Sequence, residues 1–104
     1  MLELNDQNVE QELSQARQPV IVDLWAPWCS PCRMLAPRFE VAAEKFGHRA
    51  IFAKYRVLET SRFAQLHNVQ GIPTILMFKN GKVVARRTGL CDQSCLNDWI
   101  DSNL

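Results

Sequence analysis

The chain has 104 residues, 47% of them hydrophobic, which is enough for one compact domain with its own core. Twelve basic against eleven acidic side chains leave a formal charge of +1, a balance that argues against nucleic acid or an anionic membrane as an electrostatic partner. No apolar run nears the ~20 residues of a membrane helix, and Met1-Leu2-Glu3-Leu4-Asn5-Asp6 lacks the basic start and apolar core of a secretory signal.

In chain order, Asn5 or Asp6 caps a first helix that carries Val9, Leu13 and Ala16 inward. Pro19 then opens an apolar strand, Val20-Ile21-Val22-Asp23-Leu24-Trp25, which suits the centre of a sheet. From Cys32 onward Leu35, Ala36, Phe39, Ala42, Ala43 and Phe46 recur at helical spacing, with Gly47 as the stop and Pro37 as an expected kink. Residues 50–57 read as a second strand, followed by a short helix that Thr60 or Ser61 caps and that carries Phe63, Ala64 and Leu66. Gly71-Ile72-Pro73-Thr74 breaks the chain before a third strand. Ile75-Leu76-Met77-Phe78 and Val83-Val84-Ala85 flank Lys79-Asn80-Gly81-Lys82, and Asn-Gly between apolar runs signals a hairpin because both residues accept positive φ. Asp92 caps a closing helix with Leu96, Trp99, Ile100 and Leu104 on one face. The order α, β, α, β, α, β, β, α describes an α/β fold, a mixed sheet flanked by helices on both faces, within a single domain over residues 1–104.

The pattern that carries chemistry is Trp28-Cys29-Ser30-Pro31-Cys32, at the junction between the first strand and the second helix. Two intervening residues place both cysteines within one helical turn, and a disulfide needs Cα atoms about 4.4–6.8 Å apart, so a reversible bond is permitted. A thiolate at a helix start faces unpaired N–H groups and the positive end of the macrodipole. Cys29 is therefore expected to be the more readily ionised thiol and the nucleophile. The default location for such a chain is cytoplasmic, where four cysteines point to catalysis or metal binding before structural disulfides; a mature exported chain would have lost its signal. Asp23 lies inside an apolar run, where burial raises a carboxyl pKa and makes a candidate proton acceptor near a dithiol. It reads equally as a strand-end acid or as the partner of Lys54. Gly71–Thr74 read alone is a turn, and an X-Pro bond is cis in only about one case in twenty.

Over essentially its whole length the chain resembles a thioredoxin. The resemblance rests on Val22-Asp23-Leu24-Trp25-Ala26-Pro27-Trp28-Cys29-Ser30-Pro31-Cys32-Arg33, on Pro37 and Lys54, on Gly71-Ile72-Pro73-Thr74, on Phe78-Lys79-Asn80-Gly81, and on Gly89. It implies the thioredoxin fold and the reduction of protein disulfides by thiol-disulfide exchange, with a reversible Cys29–Cys32 disulfide as redox centre and no bound cofactor. It also implies that Asp23 lies beneath the dithiol and takes the proton of Cys32, with Lys54 beside it. Pro73 would be cis and face the dithiol, Ile72 would offer its backbone to an extended client segment, and Gly89 would line the same groove without a side chain in the way. Trp28, Ser30 and Pro31 complete the client-facing surface. The implied partners are disulfide-containing client proteins and an NADPH-dependent thioredoxin reductase, and the expected state is a monomer.

Ser30 stands where thioredoxins usually carry glycine. Its hydroxyl is expected to cap the helix or donate toward Cys29, stabilising the thiolate; a large effect would turn the chain toward a more oxidising oxidase or isomerase. Val57-Leu58-Glu59-Thr60 replaces a commonly acidic, asparagine-rich stretch and reads as altered capping. Cys91 and Cys95 flank the start of the last helix. The favoured reading is packing, with Cys95 inward and Cys91 filling the approach to the cap; a second redox pair or regulatory disulfide comes next. Two rivals belong to other classes. A zinc module would use Cys29, Cys32, Cys91 and Cys95, although each pair starts an amphipathic helix. A redox-inactive scaffold would need none of the proton chemistry of Asp23. His48 and His67 read as solvated, and Arg33, Arg56, Arg86 and Arg87 as solvated surface charge.

Overall fold

A strand that is apolar on both faces must be covered on both, and in the computed structural model, which describes residues 1–104, β2 (Val20–Trp25) meets that demand. It pairs in parallel with β3 (Ile51–Arg56) on one side and antiparallel with β4 (Thr74–Lys79) on the other. Outside these lie β1 (Leu2–Leu4), parallel to β3, and β5 (Lys82–Thr88), antiparallel to β4, giving the sheet order β1-β3-β2-β4-β5. Side chains alternate across the sheet. Val20, Val22 and Leu24 pack with α1 (Val9–Gln15) and α3 (Arg62–Leu66), through Val9, Leu13 and Phe63. Ile21, Ile75 and Met77 pack with α2 (Ser30–Phe46) and α4 (Gln93–Asn103), through Leu35, Phe39, Leu96 and Ile100. The expected mixed sheet with helices on both faces is therefore found, and α2 runs on through Pro37 to Phe46.

The strand β1 is absent from the sequence reading. At 3 residues it is too short for a period-two pattern to register, yet Leu4 is buried and Leu2 lies opposite Ala53. The hairpin is as read, with Asn80 at φ 53° and Gly81 at φ 78°. Asp92 caps α4, its carboxylate accepting the Cys95 N–H at 2.8 Å.

The other caps depart from expectation. Asn5 does not cap α1; its side-chain oxygen accepts from Gln7 N and Asn8 N in a turn before the helix, at 2.9 and 3.0 Å. Asp6 instead reaches a distant element. Its carboxylate accepts from the Arg62 and Phe63 N–H groups at 2.8 and 3.2 Å and from the Tyr55 hydroxyl at 2.5 Å. Ser61 sits at the N-cap of α3, but its hydroxyl accepts from Leu58 N at 2.8 Å and leaves the helix to Asp6. Leu66 is 79% exposed, so it is no part of the inward face of that short helix. His67 is half-buried, its ring edge-on to Phe63 and Phe78 at 4.7 and 5.3 Å. Burial and the Arg86 charge push its pKa down, and the Arg86 guanidinium donates to the His67 and Asn68 carbonyl oxygens. Neither residue is simply solvated.

Burial raises the Asp6 carboxyl, but the hydrogen bonds from Tyr55, Arg62 and Phe63 outweigh it and hold the pKa below the usual value. A carboxylate with a depressed pKa stabilises the fold above its unfolded pKa and loses that contribution as pH falls through the folded value. Asp6→Ala is expected to cost about 1–2 kcal/mol at pH 7, with the gap to wild type closing below about pH 4. Urea unfolding of both proteins at pH 7 and pH 3 measures this.

Candidate active site

The loop that leaves β2 turns directly into α2, and Cys29 occupies the N-cap of that helix in an extended conformation, φ −91° and ψ 108°. Its sulfur serves as the cap: Cys29 Sγ accepts the Cys32 N–H at 3.2 Å. Pro31 follows within the first turn, where a missing N–H costs nothing. Cys29 and Cys32 are joined by a disulfide with Cα atoms 5.2 Å apart. Both are nearly enclosed, 5% and 2% exposed, against Ala26 and the partly buried Trp25 and Ile72. Arg33 donates to the Pro27 carbonyl at 2.9 Å, which ties the loop to the helix and removes Arg33 from the free surface charges. Ser30 corrects an expectation. It is the first helical residue, exposed, and makes no hydrogen bond to Cys29, because the cap position it was expected to fill belongs to Cys29 itself.

The facing wall comes from the start of β4. The Ile72–Pro73 bond is cis, and the Ile72 carbonyl oxygen lies 3.8 Å from Cys29 Sγ. Gly89 N donates to the Pro73 carbonyl at 2.8 Å, which joins the end of β5 to the same wall. Gly89 has φ 97°, and a Cβ there would meet nothing within 4 Å. The glycine is thus required by the backbone, and it leaves open space beside Pro73. Thr74, fully buried, donates to the Gly71 carbonyl at 2.5 Å and closes the turn. Trp28 is 75% exposed, so it is a surface aromatic next to the disulfide and not a packing residue of the helix start.

Asp23 shares the sheet face of Ile21, the face covered by α2. It is completely buried, and neither carboxylate oxygen has a hydrogen-bond partner from the protein. It is no strand-end acid, since it pairs with Lys54 on one side and Ile75 on the other. Nor is it ion-paired with Lys54: the one salt bridge is Arg49–Asp101 at 3.3 Å, and Lys54 Nζ lies 4.6 Å from the Trp25 ring centroid. Burial pushes the Asp23 pKa up to about 6, with the Lys54 charge pulling the other way.

The sequence profile of the thioredoxin family matches residues 1–102. The chain belongs to the thioredoxin family. It is 33% identical over 104 residues to thioredoxin of Buchnera aphidicola subsp. Acyrthosiphon pisum (strain APS), an alignment covering 100% of this chain and 96% of that one. Identity is 36% to thioredoxin of Acidithiobacillus ferridurans, with the same coverage of 100% and 96%. Against thioredoxin of Rhodospirillum rubrum it is 34%, with 100% of both chains aligned. The chain is a thiol-disulfide oxidoreductase, a protein-disulfide reductase whose redox centre is the Cys29–Cys32 disulfide.

The remaining cysteines of this thioredoxin lie elsewhere. Cys91 and Cys95 are free and pack in the core between α2 and α4, whereas Cys29 and Cys32 form a separate cluster with Ala26. The four thiols do not converge, and no group of three or more metal-ligating side chains forms a metal site. Cys91 is buried in that core and Cys95 packs against it while staying partly exposed, so the less covered of the two is the one expected to turn inward. A concavity of about 870 Å³ lies between α1 and α3 on the opposite face of the sheet and contains no thiol.

A carboxyl whose pKa rises on folding favours the folded state when protonated, so its cost is absent below the unfolded pKa and grows as pH rises to the folded one. The window for Asp23 runs from about pH 4 to about pH 6. Asp23→Ala is expected to stabilise the protein by roughly 2–3 kcal/mol at pH 7.5 and by far less at pH 3.5. Equal stability of the two proteins at pH 7.5 would refute the buried-charge account.

Proposed function

We propose that this thioredoxin reduces client disulfides in two exchange steps, with Cys29 attacking, Cys32 resolving and Asp23 accepting the resolving proton. The observation that carries the assignment is Cys29 Sγ at the N-cap of α2, where it receives the Cys32 N–H at 3.2 Å. A sulfur so placed holds negative charge better than one inside the helix. In the reduced protein the Cys29 thiolate attacks one client sulfur, forming a mixed disulfide and releasing the other as thiolate. Cys32 gives its proton to the Asp23 carboxylate and attacks Cys29 Sγ, which breaks the mixed disulfide. The two client thiolates take up the proton held by Asp23 and one from solvent, the client leaves as a dithiol, and the protein keeps the Cys29–Cys32 disulfide. An acceptor with a pKa of about 6 is ionised at neutral pH and close enough in strength to take a thiol proton. Lys54 tunes it by opposing the effect of burial.

Ile72 offers its backbone to an extended client segment, as an added strand would require. Pro73 and Gly89 shape that groove, and Trp28, Ser30 and Pro31 form the rim through which the client approaches. Restoring the dithiol needs an external donor, an NADPH-dependent thioredoxin reductase. We further propose a monomer, a single thioredoxin domain over residues 1–104, working in the cytoplasm, where a reducing pool keeps such a dithiol in service. No helix is long and apolar enough to cross a membrane.

Titration in a glutathione redox buffer, with thiols trapped by an alkylating mass tag, tests the direction of the chemistry. The Cys29–Cys32 couple is expected to lie near −270 mV, about where thioredoxin lies among such dithiols, and not near the about −180 mV of protein disulfide isomerase. Because Ser30 does not bond Cys29, Ser30→Gly is expected to move that potential by less than about 30 mV. A larger shift toward the reducing side in the variant would restore the oxidase or isomerase reading. For the individual roles, Cys32→Ser is expected to accumulate a mixed disulfide through Cys29, whereas Cys29→Ser loses turnover by about a thousandfold or more. Asp23→Asn is expected to slow resolution of the mixed disulfide about ten- to a hundredfold at pH 7. Client trapping by Cys29→Ser through Cys32 would reverse the assignment of attacking and resolving sulfur.

A further inference from the structure

The starting observation is a cluster that the disulfide chemistry leaves unused. Cys91 and Cys95 bracket Asp92, the N-cap of α4, and both are free thiols. Cys91 is 7% exposed and belongs to the core, while Cys95, one helical turn on, is only partly covered. Cys95 packs against the same core cluster that contains Cys91, and the two thiols and the Arg87 guanidinium influence one another's ionisation. Arg87 belongs to β5, and its Nε is buried without a hydrogen-bond partner. Two thiols that merely fill space need no cation. A guanidinium nitrogen left unpaired in a covered site costs free energy that an anion forming beside it offsets. Asp92 is the carboxylate that acts on Arg87, and the Cys91 and Cys95 sulfurs join it only when ionised.

We infer that Cys91 and Cys95 form a second redox dithiol, separate from Cys29–Cys32, which low-molecular-weight disulfides of the glutathione type oxidise to an intramolecular disulfide. Cys95 is the sulfur that an external disulfide RSSR can reach. Its thiolate attacks one sulfur of RSSR, giving Cys95–S–S–R and RS⁻, which takes up the proton that Cys95 released. Cys91 then attacks Cys95 Sγ, displaces the second RS⁻ and gives that thiolate its own proton. Two protein thiols and one RSSR thus become one protein disulfide and two RSH, with two electrons passing to the small disulfide. Arg87 is a positioning residue, holding charge on whichever sulfur is ionised. Burial and the neighbouring Cys91 push the Cys95 pKa up, while Arg87 pulls it down. Such a pair exchanges slowly, as suits a response to a sustained shift in the thiol pool more than turnover with clients.

The inference goes beyond the client reaction and is read separately from it. Cleavage after arginine and lysine leaves Cys29 and Cys32 on the peptide Gln18–Arg33 and Cys91 and Cys95 on Thr88–Leu104. Fully reduced wild-type protein is equilibrated with reduced and oxidised glutathione at a series of ratios, alkylated, digested and weighed. The Thr88–Leu104 peptide is expected to pass from two alkylated thiols to a species two hydrogens lighter than the free dithiol, in one step, with no glutathione retained. In Cys91→Ser the reaction is expected to stop with one glutathione on Cys95. In Arg87→Gln oxidation is expected to be about three- to tenfold slower, and an unchanged rate overturns the role given to Arg87. Two alkylated thiols persisting in fully oxidised glutathione overturn the dithiol, as does wild-type protein that ends as a glutathione adduct or a Cys95-linked dimer.

Discussion

Because β2 and β4 pair antiparallel in a register that sets Leu24 against Thr74, the end of one strand lies beside the start of the other. The loop leaving β2 carries Cys29, and the loop entering β4 carries Ile72 and Pro73. Residues 43 positions apart in the chain are thereby brought to within 3.8 Å at Cys29 Sγ and the Ile72 carbonyl. The parallel pairing of β2 with β3 adds a second constraint, since parallel neighbours need a crossover and here α2 supplies it. The crossover helix must start at the end of β2. Strand order thus decides that a helix N-terminus, a dithiol and the turn before β4 meet at one edge, where open α/β sheets place their ligands.

The same strand carries the main conflict between stability and chemistry. Apart from Asp23, β2 is apolar throughout, and an apolar side chain at that position would fit the core between the sheet and α2. A carboxylate there, without a hydrogen-bond partner from the protein, lowers stability at neutral pH. Lys54, its neighbour in the parallel ladder, moderates the penalty without forming an ion pair. What the fold gains is a base near pH 6, shielded from bulk solvent and on the face that the dithiol helix covers. Sites that break a local rule of core composition in this way are the ones where function outweighs packing.

Legibility in the sequence followed the range of the interactions involved. β2, α2, the Asn80-Gly81 hairpin and the Asp92 cap were readable because each is set by neighbours within a few residues. Asp6 was misread because its partners, Arg62 and Phe63, lie more than fifty positions away and only the folded chain brings them together. The strand β1 gave no pattern because 3 residues carry none. His67 looked solvated because nothing local announces that Phe78 covers it. At the site, Cys29, Cys32 and the burial of Asp23 followed from local pattern, whereas the approach of Ile72 and Gly89 came from the resemblance alone. Ser30 shows a local inference failing: a serine beside a helix start was credited with a cap that the preceding sulfur already provides.

The two cysteine pairs show how finely a helix terminus discriminates. Cys32 and Cys95 occupy equivalent places, the third residue of α2 and of α4, and each donates its N–H to the residue at the cap. In α2 that cap is Cys29, so the sulfur itself receives the orphan N–H and stands where negative charge is favoured. In α4 the cap is Asp92, whose carboxylate takes the N–H and adds a negative charge that helps raise the Cys95 pKa. Nearness to a helix start is therefore not what makes a thiol reactive. One shift of register along the first turn decides whether the terminus activates a sulfur or holds it in reserve.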